Sequence, residues 1–393
     1  MELDPEASLP EVLSGENALG ESAPGVNAQG LSISLIGTVS DTYEFCAGGE
    51  VCDMAQLQEV WESTLEPVYP YRSVGGQGVP IAGDSGVSVV DGLSNSGASA
   101  ADVSSTQAPK TINYNAASVH AYSGTPARPR VIIPVFPGTN CEYDTARAFE
   151  RAGAIAETLV INNLTPDAVA ESTRALARAI KNSQIVMIPG GFSGGDEPEG
   201  SAKFIAAAFR APEVTEAVRD LLQHRDGLML GICNGFQALI KLGLVPFGDI
   251  RPMDETCPTL TFNTIGRHQS KLVRTRVASN LSPWLSRTQV GEVHTVAISH
   301  GEGRFVASAE MLAQMEAAGQ IATQYVDATG APSMNLDVNP NGSVWAIEGI
   351  TSADGRVFGK MGHSERSGAY LYKNVPGNLY QPIFEGGVSY FMD

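Results

Sequence analysis

Hydrophobic positions fall into two kinds of run between Pro129 and the C-terminus. VIIPVF (131–136), ETLVIN (157–162), QIVMIP (184–189) and GLMLGI (227–232) are short, densely apolar segments, as expected of strands buried on both faces. The stretches between them carry apolar residues at helical spacing. Ala146, Phe149 and Ala152 mark one face after PGTN, and PDAVAESTRALARAI opens with Thr165 and Pro166, an N-cap and a first-turn proline. A further helix should start at Asn234, directly after GLMLGI. Strands alternating with amphipathic helices predict an α/β fold with a mostly parallel sheet covered on both faces. In such sheets reactive groups belong at the carboxyl ends of the strands.

Upstream of Pro129 the pattern is different. Residues 1–30 show no sustained periodicity and are rich in Glu, Ser, Gly and Ala, which predicts disorder. LSISLIGTVS (31–40) alternates like a strand. MAQLQEVWESTLEPVYP then sets Leu57, Val60, Trp61 and Leu65 on one helical face, stopped by Pro67. That strand and helix cannot enclose a core alone, so 31–72 reads as a piece of something larger. Between 73 and 128, 27 of 56 residues are Gly, Ser or Ala, too few large apolar groups to offset chain entropy; the segment reads as a flexible linker. Residues 129–393 form the remaining domain.

Charge narrows the function classes. The chain has 25 Lys and Arg against 43 Asp and Glu, a net charge of −18, and most of the excess lies in 1–128 with 16 acidic and 3 basic residues. Such a balance disfavours nucleic acid and anionic membrane as partners. No stretch approaches a membrane span, MELDPEASLP is no secretion signal, and five scattered cysteines make no disulfide framework, so a cytoplasmic protein is expected.

Three loops carry candidate chemistry. Gly231-Ile232-Cys233-Asn234-Gly235 joins a strand to a helix in the form of a nucleophile elbow with Cys as the nucleophile. A tight turn exposes the sulfur, and the helix N-terminus favours a thiolate and offers N–H groups to an oxyanion. The bland alternative is a buried core cysteine. Pro189-Gly190-Gly191-Phe192-Ser193-Gly194-Gly195-Asp196 follows the preceding strand. It lacks the residues of a phosphate loop and fits a backbone donor for an oxyanion better; the bland alternative is a wide turn. Gly362-His363-Ser364-Glu365 follows GRVFGKM, and its His and Glu, two apart on an extended segment, supply a base and its orienting carboxylate. Five other histidines compete, of which His300 in His300-Gly301-Glu302 comes nearest in wording. No metal site is expected: Cys46 and Cys52 have no second pair, Cys257 has no partner, and Cys141 reads as packing at the start of the first helix.

Together these loops resemble the class I, or triad, glutamine amidotransferases. FPGTNCEYDTARAF, PGGFSGGDE, GICNGFQ, SHGEGR and GKMGHSER, in that order over 129–393, resemble the glutaminase domains of the phosphoribosylformylglycinamidine synthase family. The resemblance implies a flavodoxin-like sheet with Cys233, His363 and Glu365 as the catalytic triad. It also implies Gly191 and Asn234 N–H groups as the oxyanion hole, and Phe192 and Gln237 against the glutamine substrate. No cofactor is implied in this chain; ATP and Mg2+ would belong to a synthetase half, the partner that receives the ammonia. More weakly, 31–72 resembles the last strand and helix of that half. The chain departs from the wider class in carrying His363-Ser364-Glu365 where His-Pro-Glu is usual, which keeps the His–Glu spacing. The competing readings are a stand-alone cysteine hydrolase or DJ-1-like protein on the same sheet, and a non-catalytic docking subunit. The resemblance assigns no role to His300 and Glu302.

Overall fold

The computed structural model describes residues 25–26, 32–33, 44–47, 50–54, 109–193, 201–368 and 371–392. The chain divides into two units, Met1–Ser94 and Asn95–Asp393. The first holds two short antiparallel pairs, Gly25–Val26 with Ser32–Ile33 and Glu44–Ala47 with Glu50–Asp53. The rest of the expected strand at 31–40, almost all of the expected helix after it and the first part of the expected linker, 73–108, lie outside the described residues.

In the second unit the elements follow the hydrophobic pattern. They begin with β1 (Arg130–Val135), α1 (Glu142–Arg151), β2 (Ile155–Val160), α2 (Pro166–Lys181) and β3 (Ile185–Ile188). After the glycine-rich loop come α3 (Lys203–Phe209), α4 (Pro212–His224), β4 (Leu228–Ile232) and α5 (Asn234–Leu242). Then follow β5 (Thr259–Phe262), β6 (Gln269–Val277), β7 (Val293–His300), β8 (Glu302–Val306), α6 (Ala309–Ala317) and β9 (Ile321–Val326). The last elements are β10 (Ile347–Thr351), β11 (Val357–Lys360) and α7 (Ile383–Ser389). Thr165 caps α2 by accepting from the Ala168 N–H, and Pro166 occupies its first turn, where a missing N–H costs nothing.

One nine-stranded sheet runs in the order β7-β6-β9-β10-β11-β4-β3-β1-β2. The five strands from β11 to β2 are parallel, and the four from β7 to β10 extend the sheet antiparallel. The fold is therefore α/β with helices against a largely parallel sheet, and β5 and β8 form a separate two-stranded ladder. The central strands β3 and β4 are buried at every residue, as their unbroken apolar runs require. Parallel direction brings the carboxyl ends of β1, β3, β4 and β11 to one edge. The antiparallel extension reaches the same edge: the His363 N–H, just past β11, donates to the Ala297 carbonyl of β7 at 2.8 Å.

The linker expectation for 73–128 fails over 109–128, which lies against this domain. Ile112 is buried; its N–H donates to Gln324 Oε1 at 3.0 Å, and its carbonyl accepts from Arg276 Nη1 at 2.7 Å. The Tyr114 N–H donates to the Ala278 carbonyl, and the Tyr122 ring packs edge-on against Phe391 with centroids 4.9 Å apart. Averaged composition concealed the cause: Ile112, Tyr114 and Tyr122 are the large side chains of a glycine-poor end.

Candidate active site

The nucleophile's place is set by backbone. β4 ends at Ile232, and Cys233 turns the chain into α5 with φ 54° and ψ −107°, a conformation that costs an L-residue about 1–3 kcal/mol. Both flanking glycines are required. A Cβ at Gly235 would stand 1.9 Å from the Ile188 carbonyl oxygen, and one at Gly231 would stand 2.6 Å from that of Gly235. The Cys233 N–H is held by the Lys360 carbonyl at 2.8 Å, and its buried Sγ lies 3.7 Å from the Ser299 carbonyl.

The base comes from beyond β11. His363 and Glu365 are both buried, and the carboxylate Oε1 lies 2.6 Å from Nδ1, so Nδ1–H donates to Glu365 and Nε2 is the ring nitrogen that the carboxylate does not engage. Burial alone would lower the imidazole pKa. The Glu365 carboxylate, then the Cys233 sulfur, outweigh it and hold His363 well above the usual histidine value. Burial pushes Glu365 the other way from its net shift: the imidazolium overrides it, and the carboxyl sits below the usual glutamate value. At neutral pH the pair is imidazolium and carboxylate.

Gly190 marks how closely the two sides meet. A Cβ built there would lie 2.7 Å from His363 Cε1, 3.1 Å from Cys141 Sγ and 3.4 Å from Cys233 Cβ. The following residue, Gly191, has φ 146°. This loop is tied to the loop after β1, where the Phe192 N–H donates to the Gly138 carbonyl at 2.8 Å and the Asn140 N–H to that of Gly190 at 3.3 Å. The Asn234 side chain ties it to α5, accepting from the Ser193 N–H at 3.3 Å. Residues 194–200 of the loop are outside the described set.

All seven expected site residues lie in these loops or in the first turn of α5, with one refinement. The Gln237 amide is engaged internally: Oε1 accepts from Asn234 Nδ2 at 2.9 Å, and Nε2 donates to the Glu302 carbonyl at 2.6 Å. Phe192 is half-buried, its ring 5.9 Å from that of His268. Glu302 also accepts from the Ser201 N–H at 3.0 Å, joining the far end of the glycine-rich loop to β8. His300 is enclosed; burial, then His363 and His268, bring its pKa down to about 3, so it is neutral.

Three residues were not read from sequence as part of the site. Cys141 is more than helix packing: its Sγ is 3.9 Å from His363 Nδ1 and receives an Arg366 Nη2 hydrogen bond at 3.1 Å. Cys141, His363 and Glu365 place their ligand atoms within 4.8 Å of one another, a donor set zinc can take. The 2.6 Å Nδ1–carboxylate hydrogen bond and the guanidinium on the sulfur occupy those atoms instead. Lys360 and Glu348 form a fully buried ion pair under the His363 turn, Nζ to Oε1 at 3.3 Å. A lysine inside the otherwise apolar VFGK strand was the available signal.

The chain is similar to several known proteins. Three relatives are each a phosphoribosylformylglycinamidine synthase subunit PurQ. That of Aquifex aeolicus is 35% identical over 60% of this chain and 89% of its own length. That of Pyrococcus furiosus is 33% identical over 66% and 96%, and that of Methanococcus maripaludis 34% over 61% and 82%. A solved structure, PurLQS from Thermotoga maritima, aligns with a TM-score of 0.48 and 26% identity over 67% of this chain and 99% of its own. The model of the CobB/CobQ-like glutamine amidotransferase domain matches residues 128–391, two loops and a turn included, and the chain belongs to that family.

Proposed function

We propose that the chain hydrolyses the side-chain amide of glutamine and delivers the ammonia to a synthetase half that uses ATP and Mg2+ to convert formylglycinamide ribonucleotide to formylglycinamidine ribonucleotide. One observation carries the chemistry: a strained Cys233 at a helix start, beside a His363 whose Nδ1 is bound by Glu365 at 2.6 Å. The names of the relatives support the pathway.

The residues suggest this sequence of events. Cys233 thiolate attacks the amide carbon, and the carbonyl electron pair moves onto oxygen. The Gly191 and Asn234 N–H groups receive that oxyanion, each donor worth roughly 10²–10³ in rate. The His363 imidazolium gives its Nε2 proton to the departing nitrogen, ammonia leaves, and a γ-glutamyl thioester remains. Neutral His363 then takes a proton from water, whose oxygen attacks the thioester, and collapse returns glutamate and the Cys233 thiolate. Glu365 keeps the imidazole in the required tautomer throughout. Phe192 lines the glutamine pocket; Gln237, with both ends of its amide engaged, shapes that pocket through Asn234 and Glu302.

Ammonia release from glutamine is the direct test, measured with the chain alone and with a synthetase half carrying its nucleotide and substrate. The reading expects slow release alone and faster release with the partner. No release under either condition refutes it. Full activity alone, unchanged by the partner, favours the independent hydrolase.

A further inference from the structure

Lys360 holds the nucleophile with its main chain and the turn of the base with its side chain. Its carbonyl accepts from the Cys233 N–H at 2.8 Å. Its ammonium is buried completely and meets three partners: the Gly362 carbonyl at 2.7 Å, Ser364 Oγ at 3.0 Å and Glu348 Oε1 at 3.3 Å. An ammonium has three N–H donors and no acceptor, so its capacity is filled. Two of those partners flank His363 in sequence. Glu348 grips the same turn from β10: Oε1 accepts from the Gly362 N–H at 2.6 Å, and Oε2 accepts from the Thr323 hydroxyl of β9. The Ser364 hydroxyl passes the network on, donating to Gln381 Oε1 at 2.6 Å.

A buried ion pair is a poor way to gain stability, because desolvation offsets the attraction and an apolar pair of similar volume often does as well or better. Orientation is a different matter. Residues 362–364 lie beyond the last strand hydrogen bonds of β11. Their backbone is held by the Ala297 carbonyl on the His363 N–H and by two long turn bonds, Ser364 N–H to the Gly362 carbonyl at 3.2 Å and Arg366 N–H to the His363 carbonyl at 3.3 Å. The Lys360 ammonium adds a side-chain hold on both sides of the imidazole.

We propose that Lys360, clamped by Glu348 and Ser364, is a positioning residue that fixes His363 relative to Cys233. The ammonium draws the Gly362 carbonyl and the Ser364 hydroxyl to one point, which sets the backbone on both sides of the imidazole. The kinetic part of this inference rests on the glutaminase reading; the placement of the imidazole does not.

The test compares three variants of the full chain with wild type: Lys360→Met, Lys360→Met combined with Glu348→Met, and Ser364→Ala. Glutaminase kinetics, thermal unfolding and the low-field proton resonance of His363 Nδ1–H are recorded for each. Lys360→Met should lower kcat roughly 10–10²-fold, the scale of a displacement near 1 Å, with KM within about twofold. It should also lower Tm, because Glu348 is left buried and unpaired. The double variant should recover Tm but not kcat, with the low-field resonance shifted or lost. A merely structural pair would return both together, so recovery of kcat alongside Tm overturns the proposal. Should neither Lys360 variant fold, Ser364→Ala removes one contact and keeps the ion pair. A severalfold fall in kcat at unchanged KM supports the clamp, and wild-type kcat with an unmoved resonance overturns it. If wild type itself releases no ammonia, the glutaminase reading falls. The resonance then decides the positioning alone: unchanged in the folded double variant or in Ser364→Ala, it overturns it.

Discussion

The two sides of the active site are built by different physics. On the Cys233 side the turn is set mostly by local features, an all-apolar strand, a five-residue turn, a helix start and two glycines that allow the turn to close, with the Lys360 carbonyl as its distant backbone contact. On the His363 side the position depends on residues far apart in sequence: a β7 carbonyl accepts from the His363 N–H, and a β10 carboxylate, itself accepting from a β9 hydroxyl, meets the buried Lys360. A nucleophile in a strained turn needs its neighbours to be small. A base that must point its ring in one direction needs neighbours that are polar and fixed in place. The comparison says that changes on the first side should act through sterics and stability, and changes on the second through orientation and charge.

The largest expected effect removes the sulfur itself. Cys233→Ala should lower glutamine hydrolysis by at least about 10⁴-fold, since groups of a triad act as a unit. Ammonia-supported synthesis in the complete enzyme should survive, as measured by product formation with ammonium salt in place of glutamine. Loss of both activities would place Cys233 in the scaffold instead of the chemistry.

Glu365→Gln tests the other side. The amide cannot hold the Nδ1–H tautomer as the carboxylate does, and a fall in kcat of about 10³–10⁴-fold is expected. The same variant has a signature in stability. Glu365 has a lowered pKa in the fold, so its contribution is complete above the ordinary glutamate value of about 4.3 and is lost as pH falls through the folded value. His363 has a raised pKa, so its contribution is complete below the ordinary histidine value of about 6.5 and is lost as pH rises through the folded value. The stability difference between wild type and Glu365→Gln should therefore be greatest between those limits and shrink at both ends. Urea unfolding across pH measures it, and a difference independent of pH would mean that the ion pair is not formed.

What could be read from sequence divides along the same line. The strands of the parallel half, the cap at Thr165 and the elbow were legible because strand period, capping and turn chemistry are local rules. His363 and Glu365 were legible because both lie in one short segment. The antiparallel extension from β6 to β10 and the Lys360–Glu348 pair were not, since their partners are set by sheet order, which no local pattern encodes. Cys141 shows the limit well: its helix-start position was visible, but its place 3.9 Å from His363 depends on β1 and β11 ending at the same edge. Residues 109–128 were misread for a related reason, because Ile112 is buried by partners on strands more than 160 positions away.

Gly235→Ala should act through sterics. Its Cβ would meet the Ile188 backbone oxygen at 1.9 Å, which neither strand nor helix can yield without moving the elbow. A stability loss of about 3 kcal/mol, at the upper end for overpacking, is expected in chemical denaturation. A variant as stable as wild type would show that the elbow is looser than its geometry implies.

The smallest effect is expected where the two sides meet, at Cys141. Its sulfur lies 3.9 Å from the His363 ring, and a glutamine-like electrophile has two thiols beside one imidazole. The hydrogen-bond lengths decide between them. Glu365 holds Nδ1 at 2.6 Å, whereas Cys141 approaches the same nitrogen at 3.9 Å, near the outer limit for sulfur, and faces the Arg366 guanidinium at 3.1 Å. Cys141 also starts its helix without the sharp turn that presents Cys233, with φ −109° against 54°. Cys141→Ala should leave kcat within about threefold of wild type, the size expected when a neighbour of a catalytic group is removed and the group's own partner is kept. Labelling by a diazo-ketone glutamine analogue should remain stoichiometric in Cys141→Ala and vanish in Cys233→Ala, as read by intact-mass spectrometry. Label retained on Cys141 in the second protein would make His363 a base shared by two nucleophiles, and the separation between a steric side and a polar side would no longer hold.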